Sequence, residues 1–116
     1  MQVKIYHNPR CSKSRQTLQI LQDEGIKPEI VEYLKVPPDA DELGRILSML
    51  GISARELLRK GEQAYKDEGL ADASRSDAEV IDAMVRNPIL IERPIVIHNG
   101  HAVIGRPPER ARELFS

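Results

Sequence analysis

Apolar positions alternate with polar ones at the start of the chain. In "VKIYH" (3–7), Val3 and Ile5 flank Lys4, the period of a half-buried strand. The period then lengthens. In "SRQTLQILQDEG" (14–25), Leu18 and Leu21 stand at helical spacing, and Gly25 is placed where a C-cap glycine belongs. "EIVEYL" (29–34) returns to a strand. Strand, helix and strand within residues 3–34 predict a βαβ unit with parallel strands and a right-handed crossover.

The middle of the chain reads as helical. "PDADELGRILSMLG" (38–51) puts Leu43, Ile46, Leu47 and Leu50 on one face and stops at Gly51. "SARELLRKG" (53–61) opens with the capping-box pair Ser53 and Glu56. "SDAEVIDAMVRNP" (76–88) opens with another, Ser76 and Glu79, and ends before Pro88. "PIVIHNGHAVIG" (94–105) is then a pair of short strands about Asn99-Gly100, the dipeptide of a two-residue hairpin. "PPERARELF" (107–115) predicts a closing helix with proline in its first turn. The order β-α-β, helices, β-β-α is that of an α/β thioredoxin-like mixed sheet. The expected organisation is a single domain over 1–116, with a helical insertion at about 38–88 between the two halves.

Composition narrows the function. A chain of 116 residues, 41% hydrophobic and 30% charged, suits an ordinary globular domain. The net charge of −1 offers no general attraction to nucleic acid or an anionic membrane. Aromatics are 3% and tryptophan is absent, which argues against a base-stacking platform. One cysteine cannot form an internal disulfide. No secretory leader or membrane-length apolar run is expected, so a reducing cytoplasm is the default compartment.

That cysteine lies in "YHNPRCSKSR" (6–15), at the predicted strand-to-helix junction. Unpaired N–H groups and the positive end of the helix dipole gather there, and both favour thiolate over thiol. Arg10, Lys13 and Arg15 add positive charge. The same N–H groups can cradle an anion, so one loop can hold an oxyanion and present a nucleophile to it. The alternative is a buried structural thiol, against which the polar and basic neighbours argue. Cys11-Ser12-Lys13-Ser14 is C-x-x-S, so the loop lacks the second thiol of a dithiol oxidoreductase. A C-x5-R phosphatase loop needs Arg where Thr17 stands. One Cys and three scattered His do not make a zinc site. His7 either orders the loop or is a solvated strand-end residue; His98 and His101, beside the hairpin turn, read as solvated. Ser14 either donates to the thiolate or caps the helix, capping being the commoner use.

Three arginines complete the reading. Arg59, Arg93 and Arg106 each end an element, and singly each reads as a solvated charge. Together, guanidinium groups grip a tetrahedral oxyanion with paired, directional hydrogen bonds. The Arg93-Pro94 bond also precedes a strand, where a cis peptide is one option.

At these residues the chain resembles the glutaredoxin-coupled arsenate reductases of the ArsC family. "YHNPRCSKSR", "YLKVPP", "LGISARELLRK", "NPILIERPIVI" and "IGRPPE" fall in that family's order over nearly the whole length. The resemblance implies a thioredoxin-like fold, Cys11 as nucleophile, and Arg59, Arg93 and Arg106 as a clamp that binds the substrate oxyanion. It implies that His7 and Ser14 support the thiolate and that Arg93-Pro94 is the cis-proline site. No bound cofactor and no metal are expected. Arsenate is the implied substrate, glutathione the co-substrate and glutaredoxin the protein partner, with no nucleic acid or membrane involved. In the implied reaction Cys11 attacks arsenate and displaces an oxygen. Glutathione then attacks the adduct, and glutaredoxin removes the glutathione, so that arsenite is released. Two other functions fit the residues less fully. A glutathione-dependent thiol oxidoreductase needs Cys11 but not every arginine, and a non-enzymatic Spx-like regulator commonly uses the C-x-x-C switch absent here.

Overall fold

A computed structural model describes residues 2–115. Its strands are β1 (Val3–His7), β2 (Glu29–Glu32), β3 (Ile95–His98) and β4 (His101–Ile104), and its α-helices are α1 (Ser12–Asp23), α2 (Ala40–Leu50), α3 (Gln63–Asp67) and α4 (Asp77–Arg86). Short 3₁₀ segments occur at Arg55–Leu57, Pro88–Leu90 and Pro108–Phe115. The chain divides into two compact units: Met1–Val36 with Arg93–Ser116, and Pro37–Glu92, which spans the expected insertion. Among the described residues no helix is long and apolar enough to cross a membrane.

The first unit is a four-stranded sheet in the order β2-β1-β3-β4. The two strands of the βαβ unit are parallel, with Ile5 opposite Ile30. β1 also pairs antiparallel with β3, placing Ile5 opposite Val96. With both edges used, β1 is nearly all buried, whereas β2 has one free edge and exposes Glu29 and Ile30. The hairpin turn has Asn99 at φ 57° and Gly100 at φ 78°, the two positive φ values that a type I′ turn requires. Val3, Ile5, Val96 and Val103 share one sheet face and form a core with Leu21 and Ala111. α1 and the closing 3₁₀ segment supply the last two, so the sheet fixes α1 through an apolar contact.

The second unit packs α2 against α4. Asp39 caps α2 by accepting the Glu42 N–H at 2.8 Å, and Gly51 ends it at φ 69°. Ser76 and Glu79 form the full capping box of α4, which stops before Pro88 as the sequence predicts. Leu58 and Ile91 bridge antiparallel, with Arg59 N–H on Leu90 C=O at 2.8 Å and Glu92 N–H on Leu57 C=O at 2.9 Å. That bridge ties the final residues of the unit to its centre.

Several expectations need correction. The Ser53–Glu56 pair forms, but the helix expected over 53–61 is only one 3₁₀ turn, because Leu58 leaves it in an extended conformation for the Ile91 bridge. The closing helix is 3₁₀ rather than α, and β2 ends at Glu32, where the Lys35 N–H returns to the Glu32 carbonyl at 2.9 Å. α1 begins two residues before the expected start, at Ser12. His98 is 7% exposed rather than solvated, because its ring packs on Phe115 with centroids 4.8 Å apart. His101 is exposed as expected.

Candidate active site

The cysteine loop is shaped by Asn8. Its carbonyl accepts the Cys11 N–H at 3.0 Å, and its side-chain oxygen accepts the Arg10 N–H at 3.0 Å. These bonds bring Cys11 to the N-cap of α1 in extended geometry, φ −93° and ψ 122°. No side-chain oxygen caps this helix. The thiol occupies the N-cap instead. The Ser14 and Lys13 N–H groups, at the two positions an N-cap acceptor normally serves, stabilise its thiolate.

Arg106 reaches the sulfur, with Nη2 3.8 Å from Cys11 Sγ. Its Nε donates to the Arg93 carbonyl at 2.9 Å, so one guanidinium links the thiol to the segment before β3. Both Arg93-Pro94 and Arg106-Pro107 are cis; the first matches the expected position and the second was not expected. Burial pushes the Cys11 thiol up. The Ser14 N–H, the Arg93 charge, the Lys13 N–H and the Arg106 charge outweigh it, and the thiol ionises below its ordinary range. The guanidinium charges acting most strongly therefore come from far along the chain, not from Arg10 or Arg15 beside the cysteine. Arg15 is turned to the loop backbone, donating to the Pro9 carbonyl at 2.9 Å.

His7 and Ser14 are both buried and meet behind the loop, with Nδ1 and Oγ 2.6 Å apart. Ser14 Oγ also accepts the Asn8 N–H at 3.0 Å, so Ser14 braces the loop rather than capping α1. Burial lowers the His7 pKa, Glu32 opposes this, and Arg15 adds to it; the net effect favours neutral imidazole. When Nδ1 carries the ring hydrogen, Ser14 Oγ accepts two bonds and its own hydrogen is left for a third partner.

Arg59 belongs to the second unit. Its Nη2 pairs with Glu62 at 3.3 Å and its Nη1 donates to the Ile89 carbonyl at 3.3 Å. Cys11, Arg93, Arg106, His7 and Ser14 all belong to the first.

Three residues at the site were not singled out from the sequence. Asn8 organises the loop. Thr17, fully buried on α1, donates to the Lys13 carbonyl at 2.8 Å and approaches the Gly105 carbonyl at 3.4 Å. Gly105 is the third: a Cβ there would lie 2.6 Å from Thr17 Oγ1 and 2.9 Å from Pro94 Cγ. Its N–H also donates to the Pro94 carbonyl at 2.9 Å. The missing side chain lets α1, the cis-proline segment and β4 converge. The readable signal was two polar residues, Ser14 and Thr17, three apart on the same face as Leu21.

The fold and the cysteine loop define a thioredoxin-like α/β protein with one thiol at the start of α1 and two arginine charges acting on it. The sequence pattern of the ArsC family matches residues 6–114, and the chain belongs to that family. It is 58% identical over 114 residues to the uncharacterized protein YfgD of Escherichia coli (strain K12), covering 97% of this chain and 96% of that protein. It is 46% identical over 115 residues to an arsenate reductase of Neisseria meningitidis (serogroup A), covering 98% of each. Its fold matches the solved arsenate reductase from Vibrio cholerae with a TM-score of 0.96, at 47% identity and over 98% of each chain.

Proposed function

We propose that this protein reduces arsenate to arsenite with electrons from glutathione and glutaredoxin, through a covalent Cys11–arsenic intermediate. The observation that carries the reading is a thiol at a helix N-cap with the Arg106 guanidinium 3.8 Å away. An anion drawn to those donors meets the nucleophile in the same place.

In this mechanism the Cys11 thiolate attacks arsenic, and one oxygen leaves as water after taking up protons. Arg93 and Arg106 hold the remaining oxygens. His7 and Ser14 keep the thiolate charged, Ser14 through the hydroxyl hydrogen that the Nδ1–H tautomer of His7 leaves available. Glutathione attacks arsenic in the adduct and displaces a second oxygen as water, and a glutaredoxin thiol then takes the glutathionyl sulfur. The two thiols that end as a disulfide supply two electrons, which take As(V) to As(III). Water then breaks the Cys11–arsenic(III) bond, so that arsenite leaves and the Cys11 thiolate is restored. Ser14 stands where a resolving cysteine would be, so both of those thiols come from outside the loop.

Two substitutions test this. Cys11→Ser abolishes arsenate reduction, because a hydroxyl is a far weaker nucleophile at neutral pH. Arg93→Lys keeps the charge but loses the planar fork. Losing a charge-assisted hydrogen bond made in the transition state is worth about 1.5–3 kcal/mol, roughly 10- to 150-fold in rate. Reduction of a small glutathione mixed disulfide, which presents no tetrahedral oxyanion, changes much less. An equal fall in both activities, with the circular dichroism unchanged, would count against the clamp and favour a general thiol oxidoreductase.

A further inference from the structure

The cysteine loop follows β1, which lies between β2 and β3 in the sheet. On the β3–β4 side stand Arg93 and Arg106. On the β2 side lies a groove of about 380 Å³ that the proposed chemistry at Cys11 leaves unused. Its walls are His7, Pro9 and Arg10 from the loop, and Glu32, Leu34 and Lys35 from the end of β2. Arg10 immediately precedes Cys11 in the chain, so one wall of the groove leads directly into the residue that carries the nucleophile.

The groove has a particular charge pattern. Arg10 and Lys35 are cationic and exposed, and Glu32 is anionic, with Lys35 Nζ 3.3 Å from Glu32 Oε1. Between them Leu34 is 42% exposed, and Pro9 adds a second apolar surface. Such a site suits a small extended molecule with two carboxylates, one ammonium group and a short apolar middle. Its volume falls within the range of about 300–1,000 Å³ typical of small-ligand clefts.

We propose that this groove is the docking site for glutathione. The peptide carboxylates go to Arg10 and Lys35, the γ-glutamyl ammonium goes to Glu32, and the cysteinyl segment crosses Pro9 and Leu34 toward Cys11. The assignment takes from the arsenate-reductase reading only the identity of the thiol co-substrate. It gives the loop two differently equipped sides, one for the oxyanion and one for the peptide thiol. Arg10, which does little to the Cys11 thiolate, thereby acquires a role.

The test needs no arsenate. The Cys11 thiolate is reacted with oxidised glutathione and, separately, with bis(2-hydroxyethyl) disulfide, which is neutral. In each reaction the thiolate attacks one sulfur, a mixed disulfide forms on Cys11, and the other half leaves as a thiolate. Intact mass follows the adduct. The ratio of the two rates, divided by the same ratio for N-acetylcysteine, removes any change in thiol ionisation. The wild-type ratio is expected to exceed one and to shrink at high salt. Lys35→Glu and Arg10→Glu should each lower it by about fivefold or more, since an exposed charge pair is worth up to about that factor and reversal adds repulsion. Glu32→Gln should lower it less. A wild-type ratio near one overturns the proposal. So does an unchanged ratio in both charge reversals with native circular dichroism. Failure of the arsenate reading shows separately, as wild-type protein that releases no arsenite.

Discussion

At the scale of single residues, the account rests on the ionisation of Cys11. Its folded pKa lies below the ordinary thiol value because burial, which raises it, loses to two N–H groups and two guanidinium charges. The direction fixes two outcomes. Iodoacetamide should alkylate Cys11 at a pH well below that required by a model thiol, and removing the Arg106 charge in Arg106→Gln should move the alkylation midpoint upward. Stability should change as well. A group with a depressed pKa contributes stability that is fully present above its unfolded pKa and is lost as pH falls through the folded one. Cys11→Ser should flatten that part of the stability profile. An alkylation curve matching free cysteine, or no flattening in Cys11→Ser, would return Cys11 to the role of a core residue.

At the scale of elements, the site depends on how closely α1 approaches the segment before β3. Gly105 sets that approach, so Gly105→Ala should act at a distance. Its Cβ would sit 2.6 Å from Thr17 Oγ1, 2.9 Å from Pro94 Cγ and 3.0 Å from Thr17 Cγ2. Overpacking of this kind costs about 1–3 kcal/mol, measurable by urea denaturation. Thr17→Ala removes two of the three contacting atoms, so the double variant should be more stable than the sum of the single changes allows. Simple additivity would show that Gly105 does not hold these elements together. The sequence exposed the periodic parts of this arrangement. The βαβ unit, the Asn99-Gly100 hairpin, α2 and the capping box of α4 follow from local spacing, and the structure has them. The 53–61 helix failed where a distant partner won, since the Leu58–Ile91 bridge competes with Leu58's place in a helix. His98 was misread for a similar reason, its burial depending on Phe115 from the far end of the chain. At the site, the cysteine and its helix N-terminus were legible. That Arg93 and Arg106, rather than Arg10 and Arg15, supply the strongest charges was not, because only the sheet brings them to the loop.

At the scale of the whole molecule, the proposed arsenate reduction asks one cysteine to carry a two-electron reduction. The chain has no second thiol. Membership of the ArsC family and the geometry at Cys11 support arsenate as the oxidant, and Ser14 at the resolving position points to external thiols as the source of electrons. The most direct measurement is arsenite release from arsenate by the purified protein, with glutathione and glutaredoxin supplied together and, in parallel, with thioredoxin as the only thiol source. The account predicts multiple turnovers in the first mixture, few in the second, and none with Cys11→Ser in either. Sustained turnover on thioredoxin alone would contradict the borrowed-thiol mechanism, and an absence of arsenite from the complete glutathione and glutaredoxin mixture would contradict arsenate reduction itself.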